Sequence, residues 1–338
     1  MKRTATLRRV LVTTLLFAVF CGESERKRTS PIALPRGDYI LNLYDAFGPE
    51  VAGTVKDFGF SALIRFRGKT ILFDSGTNAD ILKTNVEALG IDLRDIDFAV
   101  LSHTHFDHIS GFDHVLKVNP KLKIYFPPDP FWGAPLPFDA TGRDAAAKDA
   151  LPKEQQYFDG GDTKFTFKST GRFWKANIQY VDQHLEIEPG INLVLTRSPF
   201  LGYFSRYPTV GAAGFAKVLE KADDKTKTMQ LPELSLCLST PQGEVVVVGC
   251  SHSLVHTITR TAKEHLNRPI SMVTGGFHLL PYGREEIDAI AATMRDELGV
   301  KVVAPAHCTG HLGFQIFREV FQNNYRLAGL GTATEFPQ

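Results

Sequence analysis

Between Leu101 and His108 the chain reads Leu-Ser-His-Thr-His-Phe-Asp-His, which puts three imidazoles and one carboxylate within six residues. His103 and His105 stand two apart, so on extended backbone their side chains leave on the same side, and Asp107 and His108 follow on a turn that can bring them to the same small volume. Imidazole nitrogen and carboxylate oxygen are the donors preferred by Zn²⁺ and related divalent ions. The chemistry that such a set supports is activation of water for attack on an electrophilic carbonyl or phosphorus. Without a cation, four such groups would compete for few partners, which distinguishes the cluster from an ordinary patch of surface histidines.

Positioning them requires a rigid support, and the flanking pattern supplies one. Short apolar runs predict strands at Tyr39 to Tyr44, Ser61 to Arg67 and Thr70 to Phe73, the last two joined by a turn at Gly68 and Lys69. A helical period from Asn78 to Leu89 stops at Gly90 and leads into a strand at Asp97 to Leu101, so the histidines begin where a buried strand runs out. A short helix at Phe112 to Val118 and a strand at Lys123 to Phe126 follow. Residues 127 to about 230 are irregular and rich in Pro, Gly and aromatics, and read as an insertion with strands at Phe173 to Val181 and Ile191 to Thr196.

The second half repeats this plan. Strands are expected at Leu234 to Ser239 and Glu244 to Val248 across a Pro241-Gln242-Gly243 turn, then at Ile270 to Val273 and Lys301 to Ala304, with helices at Leu254 to Leu266, Glu285 to Leu298 and Phe314 to Asn323. Two halves of this kind imply two sheets packed face to face with helices outside, an α/β class fold.

His103-Thr104-His105-Phe106-Asp107-His108 resembles the signature of the metallo-β-lactamase fold superfamily, and Phe73-Asp74-Ser75-Gly76 is similar to that family's first motif. The resemblance runs from about Tyr39 to about Asn323. It implies a four-layer αββα sandwich, Asp74 supporting the metal loop from behind, and further ligands from three downstream strand ends: Gly249-Cys250-Ser251-His252, Gly275-Gly276-Phe277-His278 and Ala306-His307-Cys308-Thr309. His307 fits the superfamily's final histidine. The usual bridging aspartate is replaced by Cys250, which suits a thiolate ligand and a small buried residue equally. His184 lies too far upstream to serve as the intermediate ligand, so His252 and His278 are the candidates, each as a ligand or as a histidine in the core or against substrate. His114, His256, His265 and His311 lack a strand-end setting.

The implied centre holds one or two ions, zinc first, iron or manganese otherwise. His103, His105 and His307 would hold one ion, and Asp107 and His108 the other with His252 or His278. Asp107 would also orient water or carry its proton, and His278, where it is not a ligand, would donate to a developing oxyanion. The Gly-Cys-Ser-His, Gly-Gly-Phe-His-Leu and His-Cys-Thr-Gly motifs resemble the branch named for a dihydropterin-linked ribofuranosylaminobenzene phosphate synthase, which also includes metallo-hydrolases. The expected activity is hydrolysis of an ester, phosphoester or lactone-type bond in a small molecule. The alternatives are transfer to a phosphorylated dihydropterin, with Arg197, Arg206 and Lys217 as a phosphate pocket, and a metal-dependent binding protein without turnover.

The 338 residues carry 38 basic against 37 acidic side chains, a balance that gives no field for nucleic acid. Lys2, Arg3, Arg8 and Arg9 precede an uncharged run from Val10 to Phe20 that is roughly half the length of a membrane span. This is the order of an export signal over residues 1–21, with a polar linker over 22–36 and the catalytic domain over 37–338. Cys21 resembles the lipidated cysteine of a bacterial lipoprotein, which implies a periplasmic or lipid-anchored protein; a basic extension on a cytosolic enzyme is the alternative. Cys237, Cys250 and Cys308 make no disulfide framework, and two of them adjoin candidate ligands.

Overall fold

A computed structural model describes residues 32–128, 135–138, 165–168, 173, 176–198 and 231–337. The expected signal with Cys21, and most of the insertion with Arg206 and Lys217, lie outside the described residues. Among those described, no helix is long and apolar enough to cross a membrane.

Two sheets carry the fold. The first contains β1 (Tyr39–Tyr44), β2 (Ser61–Phe66), β3 (Lys69–Phe73), β4 (Phe98–Val100), β5 (Lys123–Phe126), β8 (Asn177–Tyr180) and β15 (Ala333–Glu335), in the order β15-β1-β2-β3-β4-β5-β8. The second has the order β14-β13-β12-β11-β10-β9, from β9 (Leu185–Glu188), β10 (Ile191–Ser198), β11 (Leu231–Thr240), β12 (Gly243–Val248), β13 (Ile270–Gly276) and β14 (Val302–Ala306). A separate pair joins β6 (Pro135–Phe138) to β7 (Phe165–Lys168).

Residue alternation sorts the apolar side chains into three cores. Ile40, Ala62, Ile64, Ile71 and Phe73 face Leu193, Leu234, Leu236, Val245 and Val247 between the sheets. Leu41, Leu63 and Leu72 point the other way, against Leu82 and Val86 of α1 (Ala79–Ala88), Ile109 of α2 (Phe106–Ile109), and Phe112 and Val115 of α3 (Phe112–Val118). Cys237, Val246 and Val248 likewise meet Val255 and Ile258 of α4 (Val255–Leu266), Ile287 and Ile290 of α5 (Arg284–Ala292), and Ile316 and Phe317 of α6 (Gly310–Phe321). Helix, sheet, sheet and helix thus make the expected αββα sandwich. The four-valine run is buried on both faces because β12 is interior, and each such side chain contributes about 1.5–3 kcal/mol.

Register corrects several expectations. The β2–β3 hairpin turns through Arg67 and Gly68, because Phe66 pairs with Lys69 and both turn residues take positive φ, 48° and 81°, as the tight primed turn demands. Thr240 pairs with Gly243, so Pro241 and Gln242 alone make the second hairpin turn. The strand expected from Phe173 begins only at Asn177, while Phe173 packs into the outer core. The last long helix starts at Gly310 rather than Phe314, and β15 adds to the edge of β1, a pairing too short to show as an apolar run.

Parallel pairing then sets the site. β3 runs beside β4 with Phe73 opposite Val100, and β12, β13 and β14 run parallel with Val248 opposite Gly275 and Gly276 opposite Ala306. The carboxyl ends of these strands open at one edge, where parallel sheets place ligand sites. Gly275 holds φ +118°, and a Cβ there would meet the Val248 carbonyl at 1.8 Å. Gly275→Ala is expected to destabilise the chain by about 3 kcal/mol, seen as a lower urea midpoint at constant m-value.

Candidate metal centre

Asp74, directly after β3, has its backbone in the left-handed region at φ 56° and its carboxylate wholly buried. Oδ1 accepts the Ser102 amide at 2.7 Å, and Oδ2 accepts both the Ser102 hydroxyl and His108 Nδ1, each at 2.7 Å. Because the carboxylate accepts from His108, the proton of that ring sits on Nδ1 and Nε2 carries the lone pair. With its hydrogen given to Asp74, Ser102 Oγ accepts from His103 Nδ1 at 2.9 Å. One carboxylate therefore fixes two imidazoles with Nε2 unprotonated.

The loop that bears the histidines is pinned by its backbone. The Ser75 amide and hydroxyl both donate to the His108 carbonyl, at 2.7 and 2.9 Å, and the Phe60 amide donates to the Asp107 carbonyl at 3.1 Å. Gly249, directly after β12, lies so close that a Cβ would meet Ser102 Oγ at 2.0 Å and Asp74 Oδ2 at 2.9 Å, which explains why glycine precedes Cys250.

The structure brings together His103, His105, Asp107, His108, His252, His278 and His307. His252 lies 4.9 Å from the His103 ring and 4.6 Å from that of His105, measured between centroids. Asp107 Oδ2 lies 3.3 Å from His307 Nε2 and 3.6 Å from His108 Nε2. The expected grouping set His307 beside His103 and His105, whereas by distance His252 lies beside that pair and His307 beside Asp107 and His108. Two ties account for it. The Leu234 amide donates to the Ser102 carbonyl at 2.8 Å, holding the β11–β12 hairpin and its trailing His252 against the His103 side. The His307 amide donates to Asp45 Oδ2 at 3.0 Å, which draws the end of β14 beneath β1.

Cys250 stands at the junction. Its sulfur forms compact donor groups with His103 and His252, with His108 and His307, and with His278 and Cys308, the donor atoms of each lying within 4.8 Å of one another.

The residues fit a divalent cation. His103 Nε2 and His108 Nε2 are buried without a hydrogen-bond partner, an arrangement that costs about 1–3 kcal/mol per atom if nothing positive lies between them.

Comparison with known proteins agrees with the geometry. The model of the metallo-beta-lactamase superfamily matches residues 55–175. A solved metal-dependent hydrolase of the beta-lactamase superfamily superposes with TM-score 0.60 at 23% identity, covering 89% of this chain and all of that one. The chain has the metallo-β-lactamase fold. It is 27% identical over 274 residues, 79% of this chain and 85% of that protein, to the 7,8-dihydropterin-6-methyl-4-(beta-D-ribofuranosyl)-aminobenzene-5'-phosphate synthase of Methanocaldococcus jannaschii. An uncharacterized protein of the same organism is 25% identical over 255 residues, 75% of this chain and 84% of that one.

In this version of the metallo-β-lactamase fold, electrostatics favour neutral rings at His103 and His252 and an ionised carboxylate at Asp107. Burial, then the neighbouring histidines, push His103 and His252 well below the ordinary histidine range. Burial works against ionisation of Asp107, but His108 and His307 outweigh it and hold the carboxyl well below its usual value. His307 is pushed up to about 10, because Cys308, Asp107 and Asp45 overcome its burial. Burial raises Asp45 to about 7 against the pull of His307. In the cysteine pair, burial pushes the Cys250 thiol up, whereas the hydrogen bond from Cys250 and the proximity of His307 hold Cys308 down despite its burial.

Asp45, Ser102, Glu233 and Cys308 escaped the sequence reading as parts of the site. Glu233 accepts the His252 amide at 2.9 Å and the Ser253 amide at 2.6 Å from inside a leucine-rich strand, and an isolated acid in such a strand was the available signal. Asp45 follows β1 just as Asp74 follows β3. His184, excluded on sequence distance, stacks instead on His265 at 3.9 Å.

Asp74→Asn is expected to replace an acceptor with a donor facing His108 or Ser102, and to weaken divalent metal binding by about 10–100-fold in chelator competition while the fold is retained. Unchanged affinity would separate Asp74 from the centre.

Proposed function

We propose that the chain is a metal-dependent hydrolase that cleaves an ester, phosphoester or lactone-type bond of a small molecule. The observation that carries the reading is the pair of buried lone-pair nitrogens, His103 Nε2 and His108 Nε2, beside the Asp107 carboxylate. His103, His105 and His252 would hold one ion, Asp107, His108 and His307 a second, with the Cys250 sulfur in reach of both groups. Zinc suits the donors first, and iron or manganese would also fit them. A bound divalent ion supplies acidification of water and polarisation of the electrophile.

The chain's own residues do the rest. Asp107, kept ionised, accepts and orients a proton from water at Oδ2. Asp74 holds two rings in their working tautomers, so that no reorientation is needed when substrate arrives. Phe106, 63% exposed, and Phe58, 45% exposed with its ring 4.8 Å from His307, offer a surface to an apolar part of the substrate. His278 has Nδ1 3.5 Å from Cys250 Sγ, which favours the ligand role over that of an oxyanion donor.

The second reading is a synthase acting on a phosphorylated dihydropterin, favoured by the similarity to the archaeal synthase over most of both chains. Of its expected phosphate contacts, Arg197 donates to the Asp182 carbonyl at 3.2 Å, and Arg206 and Lys217 lie outside the described residues. The synthase reading calls for the cytosol. The basic start followed by the Val10 to Phe20 run supports an exported hydrolase, anchored by lipid if Cys21 is acylated, so cell fractionation divides the two.

Purified without chelators, the protein is expected to carry about two equivalents of zinc, iron or manganese, falling to one or fewer in an Asp107→Ala, His108→Ala double variant by elemental analysis. Folded protein that is metal-free and cannot be reloaded would sink the enzyme reading. On a panel of phosphodiesters, lactones and β-lactams, His105→Ala is expected to lower kcat/KM of any hydrolysed member by about 100-fold or more, since even outer contacts to a metal are worth 10–100-fold. Turnover insensitive to His105, or none on any member, would favour the synthase or a binding protein.

A further inference from the structure

Of the three donor groups that share Cys250, two are built around the histidines of the water-activating centre. The third is not. It consists of Cys250, His278 and Cys308, drawn from the ends of β12, β13 and β14, with all donor atoms within 4.8 Å of one another. Cys250 Sγ lies 3.1 Å from Cys308 Sγ and 3.5 Å from His278 Nδ1, and both cysteines are almost wholly buried.

The surroundings fix this trio in place. His278 holds φ 49°, and Gly276, two residues earlier, packs so closely that a Cβ would meet Cys308 Sγ at 3.0 Å. Thr309 Oγ1 accepts the Phe277 amide at 3.2 Å and donates to the Ala306 carbonyl at 2.6 Å, which binds the β13 and β14 ends together on either side of the two sulfurs. The Leu279 amide donates to the Cys308 carbonyl at 3.2 Å, closing the same seam from beyond His278. Two buried sulfurs and a partly buried imidazole nitrogen held together are a donor set for a thiophilic cation and a poor one for magnesium or calcium.

We propose that Cys250, His278 and Cys308 form a sulfur-bearing cation subsite contiguous with the histidine and aspartate centre, selective for ions of the Zn²⁺ class. It extends the metal-centre reading by sharing Cys250 with it, and requires nothing of the substrate or of turnover. A zinc–sulfur bond of about 2.3 Å places two tetrahedral thiolates about 3.8 Å apart, so occupancy asks the sulfurs to separate by about 0.7 Å, a movement within reach of χ1 adjustments. The site is a binding device. Its cysteines stay reduced, and cation entry releases thiol protons to solvent.

The test is cobalt substitution of the full chain, stripped under reducing conditions and reloaded with Co²⁺ alone. The expected spectrum has a near-ultraviolet sulfur-to-cobalt charge-transfer band. In Cys308→Ala, that band is expected to fall to about half, because one of two sulfur ligands is gone, and to vanish in the Cys250→Ala, Cys308→Ala double variant. His278→Gln, which keeps both sulfurs and the fold at a rim position, is expected to weaken Co²⁺ binding to the band-forming site, and Cys237→Ala to leave the band unchanged. Circular dichroism confirms that each variant is folded. A full-strength band in folded Cys308→Ala, no band in the parent chain, or a Cys250–Cys308 disulfide found by mass spectrometry in the reloaded protein would each overturn the subsite. The Asp107→Ala, His108→Ala variant separates the two readings: a band that persists there and falls when Cys308→Ala is added stands for the subsite whatever becomes of the hydrolytic centre.

Discussion

The burial of a single carboxylate, Asp74, is the interaction on which the rest depends. Its two oxygens take three donors from the loop after β4, and a buried carboxylate is tolerable only when its lone pairs are filled in this way. The same bonds determine which nitrogen of His103 and His108 faces inward. Remove them and the rings lose both orientation and tautomer, although the sheets that carry them would persist. The αββα scaffold is thus necessary but indifferent to chemistry, and the bridge between scaffold and chemistry is a strand end with a left-handed turn.

Asp45 and Glu233 repeat the device. Each is a buried acid at or near the site edge that accepts a backbone amide of a histidine: Asp45 from His307, Glu233 from His252. Three carboxylates therefore sit behind the cluster, none of them pointing a free oxygen at its centre in the manner of Asp107. Their hydrogen bonds hold the loops beside residues whose backbone lies at positive φ, at Asp74, Ser251 and His307.

Much of this was legible in the residues. The αββα layering follows from strands that alternate apolar faces or are apolar throughout, and the histidine loop stands out because three imidazoles and a carboxylate within six residues have no structural reason to be there. What sequence could not carry was anything decided by register or by a long-range tie. One hairpin turn shifts by one residue and the other loses Gly243 to its strand, because glycine and lysine beside a turn fit either position. The neighbours of His307 and His252 are not legible locally, because the first rests on an amide to Asp45 and the second on an amide from Leu234 to the Ser102 carbonyl. Cys308 was noted only as a neighbour of His307, since nothing in its local sequence announces a sulfur atom from the far side of β13.

The bond between His307 and Asp45 spans 262 residues. Every donor group in the cluster likewise joins the first half of the chain to the second, or the end of one late strand to another. Closing loops of that length carries an entropy cost that local contacts do not repay, so such contacts form late in folding. The histidine loop of the first half therefore has its donor groups complete only once the ends of β12 and β14 have docked against it. The centre is in that sense a record of completed folding, and a chain that captures the right ion has already passed its own inspection.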